Sequence, residues 1–489
     1  MHKSRFGSMY LILLFGLSQT ILFYRSDAFL LSRGQEAWII DSSRFKTSQK
    51  QDINRSPWEP NLISLTARYE SKAPTSEAIL GDTDNVIEPT NNQQFVSETL
   101  NKSLFQRKIA NIEKFARLPV WPVWNGVFLF LLSKVAGQEI VAEWEQTGWF
   151  GGRVCPNFFN PPGSTSPFIM LVHHCHSFAM WDPVRYIQRS FFPEGFPAHP
   201  HRGFITVTYI LQGGFKHRDS LGVKQRYGAS RHGQDKYNGK HTQWLMTGAG
   251  LLHEEMWDIE CPSFIQPSRQ ELYQLWLNVP AKYKLNPPKV NLLGGQEETP
   301  TILAYSDGTL KSVTDNDSSR KTDSALQSKT IVIAGKYGQH YASIETFSGV
   351  DIFHVVIEPG GTWKHSIPPH YSTGIIYMRL GSASVDGTTI LPHHTAYLSR
   401  QGNELIVTNS SPTKTADFLL LAGEDLNEPV AAQGSMVMNS YDQINQAYQD
   451  YQQGRMGIPW SHELSDEKWR EHLQKFPSIY KFSDRAGLK

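Results

Sequence analysis

Two stretches decide the fold and the chemistry of this chain: F-P-A-H-P-H-R-G-F at residues 196–204 and Q-W-L-M-T-G-A-G-L-L-H-E-E-M at residues 243–256. The first contains two histidines separated by one residue, and the second contains a histidine and a glutamate with the same spacing. Because side chains at i and i+2 of a strand point to the same face, each pair can direct two ligands at one point. The spacing predicts a metal centre made of His199, His201, His253 and Glu255.

The ligand set itself indicates which metals fit. Three imidazoles and one carboxylate suit iron and leave open octahedral positions, although manganese, nickel, copper and zinc also accept mixed nitrogen and oxygen ligands. One His-x-His pair among 18 histidines would carry little information. The second pair strengthens the prediction, because it repeats the spacing of the first. Histidine and glutamate are also costly to bury without partners, which makes these residues poor candidates for the apolar core. Glu254 should point to the opposite face of its strand and take no part in the site.

Further motifs carry a family resemblance. The chain resembles the pirin family over roughly residues 166–457, through the two stretches above together with V-T-Y-I-L-Q-G-G-F-K-H-R-D-S-L-G (207–222), Q-L-W-L-N-V-P (274–280), P-H-H-T-A-Y-L (392–398) and L-A-G-E-D-L-N-E-P-V (421–430). The resemblance implies an all-β fold with two cupin (jelly-roll-like) β-barrels in tandem, a C-terminal helix and iron in the N-terminal barrel. The family's ligands fall on the four residues that the spacing had indicated. The chain departs from the family pattern at Ile205, where pirins commonly have an acid, and at Ala249, where they often have arginine.

The resemblance also implies a function. Some pirins are Fe(II)-dependent dioxygenases of the quercetin 2,3-dioxygenase type, which cleave flavonol-like phenolic substrates with O2. In such an enzyme Glu255 would also have a catalytic role, as acceptor of the substrate's hydroxyl proton. The alternatives are a non-catalytic, metal-bearing module similar to redox-responsive transcription coregulators, and a cupin whose metal is structural.

Composition limits the classes of partner. The chain has 489 residues, enough for two or three domains. Its 47 basic and 46 acidic residues are balanced, which gives no indication of direct nucleic-acid binding. Its three cysteines are too few and too scattered for a disulfide framework. No assembly signal is evident, so a monomer is expected.

The N-terminus is typical of a targeting segment. Residues 1–28 have a positive n-region, an apolar run at 9–24 and small residues around Ala28, which together predict a cleaved signal peptide. A transmembrane anchor is the alternative, but the apolar run is short and interrupted. No membrane span is expected once the signal peptide has been removed. The Ala-Phe junction resembles presequences of plastids that are reached through the secretory route. The plastid is one expected destination, and the endoplasmic reticulum or secretion is the other.

The remaining boundaries follow from composition and from the family pattern. We expect a presequence and poorly ordered extension at 29–150, the metal-binding cupin domain at 151–295, a flexible junction at 296–329, the second cupin domain at 330–457 and a tail at 458–489. Without His-x-His or His-x-Glu, the second domain is predicted to bind no metal. The tail should contain a charged helix near residues 465–476.

Several local features carry expectations of their own. Gly213-Gly214 predicts a turn, Asp386-Gly387 a tight hairpin, and Ser440 the N-cap of a helix. The basic segment 216–241 has two interpretations, a patch for an anionic ligand or a solvated loop. His174 and His176 share the two-residue spacing, but without a nearby carboxylate they are expected to line a cleft.

Overall fold

The computed structural model describes residues 24–25, 28–33, 36–41, 106–114, 118–119, 123–137, 140–141, 143–144, 153–159, 163–189, 193–229, 236–261, 263–313 and 324–480. Most of the predicted signal peptide and the sequence between residues 42 and 105 lie outside the described residues. None of the helices in the described ranges is long and apolar enough to cross a membrane.

Strands dominate the described chain. In chain order they are β1 (Tyr24–Arg25), β2 (Ala28–Arg33), β3 (Glu36–Asp41), β4 (Ile109–Lys114), β5 (Leu118–Pro119), β6 (Arg153–Phe158), β7 (Phe168–Phe178), β8 (Gly195–His201), β9 (Phe204–Asp219), β10 (Lys224–Ala229), β11 (Lys240–Met246), β12 (Leu251–Trp257), β13 (Ser268–Asn278), β14 (Lys289–Gly294), β15 (Thr301–Tyr305), β16 (Leu310–Ser312), β17 (Leu326–Ala334), β18 (Lys336–Tyr337), β19 (His340–Tyr341), β20 (Val350–Ile357), β21 (Thr362–Ser366), β22 (Thr373–Leu380), β23 (Ala383–Val385), β24 (Thr388–Ile390), β25 (His394–Leu398), β26 (Glu404–Thr408), β27 (Ala416–Gly423), β28 (Ala431–Gln433) and β29 (Met436–Met438). The helices are α1 (Val123–Val135), α2 (Pro183–Arg189), α3 (Gly295–Glu298), α4 (Tyr441–Gln452) and α5 (Asp466–Lys475).

The front barrel closes around one long strand. Its main sheet has the order β14-β11-β9-β13-β7-β6-β5, and β10, β12 and β8 form the opposite wall. The first half of β9 pairs with β11 and β13, and the second half pairs with β10 and β12. The turn predicted at Gly213-Gly214 is therefore wrong, because the chain bends there without leaving the ladder. Gly213 has φ +80°, and a Cβ at this position would lie 2.0 Å from Gln270 Oε1.

The second barrel also consists of two sheets. One has the order β16-β15-β17-β20-β27-β22-β25-β4, and the other has the order β21-β26-β23-β24. Strands β15 and β16 belong to the stretch that was expected to be a flexible junction at 296–329, so that expectation is wrong for these residues. Ile302 of β15 is fully buried in the second barrel, which explains why this segment is ordered. The predicted hairpin at Asp386-Gly387 joins β23 to β24, with φ values of 48° and 77°.

A strand from the N-terminal extension completes the second barrel. β4 pairs with β25, at the far edge of the larger sheet. Just before it, the buried Arg107 donates hydrogen bonds to the carbonyl oxygens of Tyr371, at 2.5 Å, and Gly402, at 2.9 Å. The expectation of a poorly ordered extension at 29–150 is therefore wrong for β4 and for Arg107 just before it. A strand with a partner along its length and a buried arginine anchor belongs to the folded domain.

The two barrels pack against each other through their larger sheets. A shared core joins apolar side chains of β7, β9 and β13 to those of β17, β20, β22 and β27. Arg379 also crosses this interface, donating to both carboxylate oxygens of Glu271, at 2.7 and 3.0 Å, and to Asp417 at 2.6 Å. Two histidines join this network. His173 Nε2 lies 3.0 Å from a carboxylate oxygen of Glu271, and His354 Nε2 lies 3.1 Å from one of Asp417. The expected all-β fold of two cupin barrels is confirmed.

The C-terminal segment packs on the front barrel. Ser440 caps α4 by accepting from the Gln443 amide at 3.3 Å, as predicted. The helix expected near 465–476 is α5, which buries Trp469 and Leu473. Both helices share an apolar core with strands β8, β12, β28 and β29. This core is formed by Ala198, Leu252, Ala431, Met436, Met438, Ile444, Ala447, Met456, Trp460, Trp469 and Leu473. The tail predicted at 458–489 is thus a structural part of the front barrel as far as residue 480.

Candidate metal centre

Three histidines meet inside the front barrel. His199 and His201 lie on β8, His253 lies on β12, and the antiparallel register places His253 opposite His199. Their ligand nitrogens all lie within 4.8 Å of one another. Two strands with the same face turned inward therefore bring together the three imidazoles that the sequence predicted.

The hydrogen bonds of these histidines fit a bound metal. His199 Nδ1 lies 2.8 Å from the Pro197 carbonyl oxygen, and His201 Nδ1 lies 3.3 Å from that of Ser435. A carbonyl can only accept, so Nδ1 carries the proton and Nε2 keeps its lone pair for a metal. Both ring nitrogens of His253 are buried without a hydrogen-bond partner among the described residues. Since a buried polar atom without a partner is costly, His253 has the environment of a ligand whose partner is a metal.

Burial keeps the three imidazoles neutral. It lowers the pKa of His199 to about 4 and the pKa of both His201 and His253 well below the usual value. The neutral imidazole is the form that binds a metal. The site therefore offers lone pairs at neutral pH without first having to lose protons.

Glu255 is buried nearby but lies outside this group of nitrogens. The register between β8 and β12 shifts after His253, so that Glu255 faces Phe196. Its carboxylate accepts hydrogen bonds from Thr208 at 3.2 Å, from Tyr227 at 3.1 Å and from Gln274 at 3.0 Å. Burial raises its pKa, against the opposing effects of His217 and these donors. Ligation by Glu255 stays a prediction of the sequence.

A further pair beside the site was missed at the sequence level. His217 and Asp219, both on β9, are fully buried and form a contact of 3.1 Å between Nε2 and Oδ2. The His217 ring lies 5.4 Å from that of His253, and its Nδ1 has no hydrogen-bond partner in the described part of the chain. The signal was available, since these two residues have the same i, i+2 spacing as the ligand pairs.

Aromatic and histidine side chains form the wall around the centre. Trp276 is buried with its ring 5.5 Å from that of His201. His174 and His176 lie on β7 with their rings stacked 5.5 Å apart and in contact with Trp257. Both are buried, and a cleft-lining role stays a prediction.

In the described parts of the basic segment at 216–241, here called the basic hairpin, the cations are paired with acids, and both interpretations of the segment stay predictions. Lys216, Arg226 and Lys236 all contact Asp258, while Lys224 contacts Asp466 and Lys240 contacts Glu298. Burial alone would raise the pKa of Asp258, but its hydrogen bonds outweigh this effect and lower it to about 2. These cations are neutralised by acids distant in sequence, and Arg231 lies outside the described residues.

The residues next to the ligands point outward and contact the C-terminal segment. Glu254 accepts hydrogen bonds from Arg218 and, at 2.8 Å, from the Trp460 indole. Arg202 donates to the Tyr480 hydroxyl at 2.7 Å and contacts Asp450 at 2.8 Å. Each ligand-bearing strand is therefore fixed from behind by residues beyond the second barrel.

We expect a chain that ends at Gly457 to bind metal about 10- to 100-fold more weakly, the usual cost of losing the outer partners of a metal site. The truncation removes Trp460 and Tyr480 and uncovers the apolar back of β8 and β12. A chain that ends at Tyr480 is the matched control and should bind normally. Competition titration against a chelator measures the effect. Equal affinity of the two truncated chains would contradict the prediction.

Comparison with known proteins agrees with this architecture. The family model described as pirin matches residues 161–277, and the model described as the pirin C-terminal cupin domain matches residues 352–457. A pirin-like protein of Solanum lycopersicum is 35% identical over 269 residues, which cover 54% of this chain and 78% of the relative. The chain belongs to the pirin family. The resemblance read from the motifs is thereby confirmed.

Other pirin-family relatives give the same result. Human pirin is 32% identical over 272 residues, which cover 54% of this chain and 79% of the relative. A candidate quercetin 2,3-dioxygenase of Vibrio cholerae is 31% identical over 304 residues, which cover 61% of this chain and 87% of the relative. The crystal structure of a quercetin 2,3-dioxygenase from Acinetobacter baumannii superposes with a TM-score of 0.51 at 24% identity, covering 72% of this chain and 98% of that one. This structure supports the fold alone.

Proposed function

We propose that this pirin-family protein is an Fe(II)-dependent dioxygenase that acts on flavonol-type phenols. The observation that carries the proposal is His253, a buried imidazole with two unpartnered nitrogens beside two further neutral imidazoles. Such a group is costly in a protein without a metal. The name of the Vibrio cholerae relative supports the reaction class.

The roles of the chain's own residues follow from the geometry. His199, His201 and His253 would hold the ion, with Glu255 as the proposed fourth ligand. When bound, iron(II) would supply Lewis-acid and redox chemistry at positions open to a phenol and O2. Glu255 is oriented by three donors and would accept the proton of the substrate's hydroxyl group.

The test is anaerobic reconstitution with Fe(II), followed by addition of quercetin and O2. We expect consumption of the flavonol with release of carbon monoxide. His201→Ala should lose both metal and turnover, whereas Glu255→Gln should lower turnover more than metal content if its main role is proton transfer. His370→Ala, which changes an exposed histidine of the second barrel, is the control.

Two outcomes would count against the proposal. Turnover that survives His201→Ala would show that the reaction does not need this centre. A fully loaded protein that consumes no flavonol would favour the metal-bearing binding module instead.

A further inference from the structure

The second barrel contains a cavity of its own, of about 890 Å³. It lies beside the hairpin of β18 and β19, the segment 342–351 and the loop after β21. This volume is in the range of small-molecule pockets, roughly 300–1,000 Å³. All of its lining residues belong to the second barrel, so the cavity is separate from the metal centre.

A buried histidine and aspartate face this cavity. His365 Nε2 lies 2.9 Å from Asp351 Oδ2, and the side chains are 7% and 4% exposed. Asp351 Oδ1 accepts from the Lys336 amide at 3.1 Å. This close approach explains Gly335, where a Cβ would lie 2.1 Å from the same oxygen. The carboxylate can only accept, so Nε2 donates to it, and Nδ1 is the remaining polar atom of the ring. Within the described chain, Nδ1 makes no hydrogen bond.

The two barrels use equivalent strands differently. β21 pairs with β26 as β8 pairs with β12, and His365 takes the place of His201 on the inward face. The positions of the other two histidine ligands are taken by Trp363 and Val407, which are fully buried. His365 therefore has no neighbouring metal ligands of this kind, and its open nitrogen is available to another partner.

Tyr371 adds a donor to the same cavity. It is 8% exposed, and its hydroxyl makes no hydrogen bond with the described residues. Burial raises its pKa, and Asp351 and Glu424 raise it further, so the hydroxyl keeps its proton. The wall thus presents two polar groups without a hydrogen-bond partner among the described residues, His365 Nδ1 and the Tyr371 hydroxyl. This combination matches a hydroxyl group, which both donates and accepts.

The rim of the cavity is aromatic and cationic. Lys336 and Lys364 are exposed, and neither ammonium has a carboxylate partner in the described part of the chain. The Lys336 ammonium lies 4.8 Å from the centre of the Tyr341 ring, which is 61% exposed. The exposed lining residues therefore contain two ammonium groups and one carboxylate, that of Glu345, while Asp351 is buried and paired with His365. Such a rim attracts a carboxylate attached to a flat ring.

We infer that this cavity binds an aromatic carboxylic acid that carries a ring hydroxyl group. The acid group contacts Lys336 and Lys364, the ring lies against Tyr341, and the hydroxyl group reaches His365 and Tyr371. The inference goes beyond the proposed dioxygenase function and does not depend on it.

The test is calorimetric titration of the full, metal-loaded chain with 4-hydroxybenzoate. We expect one molecule to bind per chain. Binding should weaken about tenfold or more in the Lys336→Ala, Lys364→Ala double variant, since charge-assisted hydrogen bonds are lost. These surface substitutions leave the fold intact, and Lys289→Ala on the front barrel is the control.

A second comparison isolates the hydroxyl group. Benzoate lacks this group and should bind the unaltered chain about tenfold more weakly than 4-hydroxybenzoate. In His365→Phe that difference should disappear, which a merely structural role of His365 would not cause. Three outcomes would overturn the inference: no binding at millimolar ligand, binding unaffected by the double lysine variant, or binding lost in His201→Ala, which would place the acid at the metal centre.

Discussion

Replacing His253 by leucine should abolish metal binding while leaving the metal-free protein equally stable or more stable. The loss of affinity should exceed the roughly 100-fold that follows from losing an outer partner, because a ligand itself is removed. Both ring nitrogens of His253 are buried without partners, so the metal-free protein bears the cost of desolvating them. Leucine removes that cost, which is about 1–3 kcal/mol for an unsatisfied buried polar group.

Two measurements check this prediction: metal content after reconstitution, and urea unfolding with and without metal. Added Fe(II) should raise the stability of the unaltered protein and leave the variant unchanged, since a ligand stabilises only the state that binds it. Leu252→Ala, which changes a buried neighbour on the same strand, is the control. It should destabilise the metal-free protein. A large loss of metal-free stability in His253→Leu would mean that the histidine is a packing residue.

Replacing Arg379 by methionine should have the largest effect on stability. The guanidinium group contacts Glu271 and Asp417, whose side chains are 1% and 9% exposed. Glu271 keeps a second arginine, Arg269, so the uncompensated charge falls on Asp417. Removing one partner of a buried ion pair costs about 3–5 kcal/mol. Because Glu271 and Asp417 lie on different barrels, we expect the substitution to weaken the packing between them. Urea unfolding measures the loss.

The same substitution should change the response to acid. Burial alone would raise the pKa of Asp417, but Arg379 and His354 outweigh it and lower the pKa to about 2. A carboxylate with a depressed pKa adds stability that is fully present above about pH 4 and is lost as the pH falls toward 2. Without Arg379 the pKa rises, so acid unfolding should begin at a higher pH.

Arg400→Met, on the exposed surface of the second barrel, is the control. It should leave unchanged both the free energy of unfolding and the pH at which acid unfolding begins. An Arg379→Met chain with the stability of the unaltered protein would show that the interface tolerates two buried carboxylates. In that case the shared apolar core alone would hold the barrels together.

The ligand histidines could be predicted from sequence because i, i+2 spacing determines which face of a strand a side chain occupies. The position of Glu255 could not, since the register shift beside His253 and the three donors around the carboxylate come from other strands. His217 was within reach of the same spacing rule. The partners of the basic hairpin were not, because Asp466 lies 242 residues from Lys224.

Strand β4 has a consequence for how the chain is made. It pairs with β25, and its Glu113 bonds to Tyr397, 284 residues further along. A ribosome adds about 5–20 residues per second, so this segment waits roughly 15–60 s for its partner to emerge. Over that interval it is a free edge while the metal-binding half is already folding. Closure of the second barrel is therefore a late event in biosynthesis, because β4 must wait for a partner strand that is synthesised nearly 300 residues later.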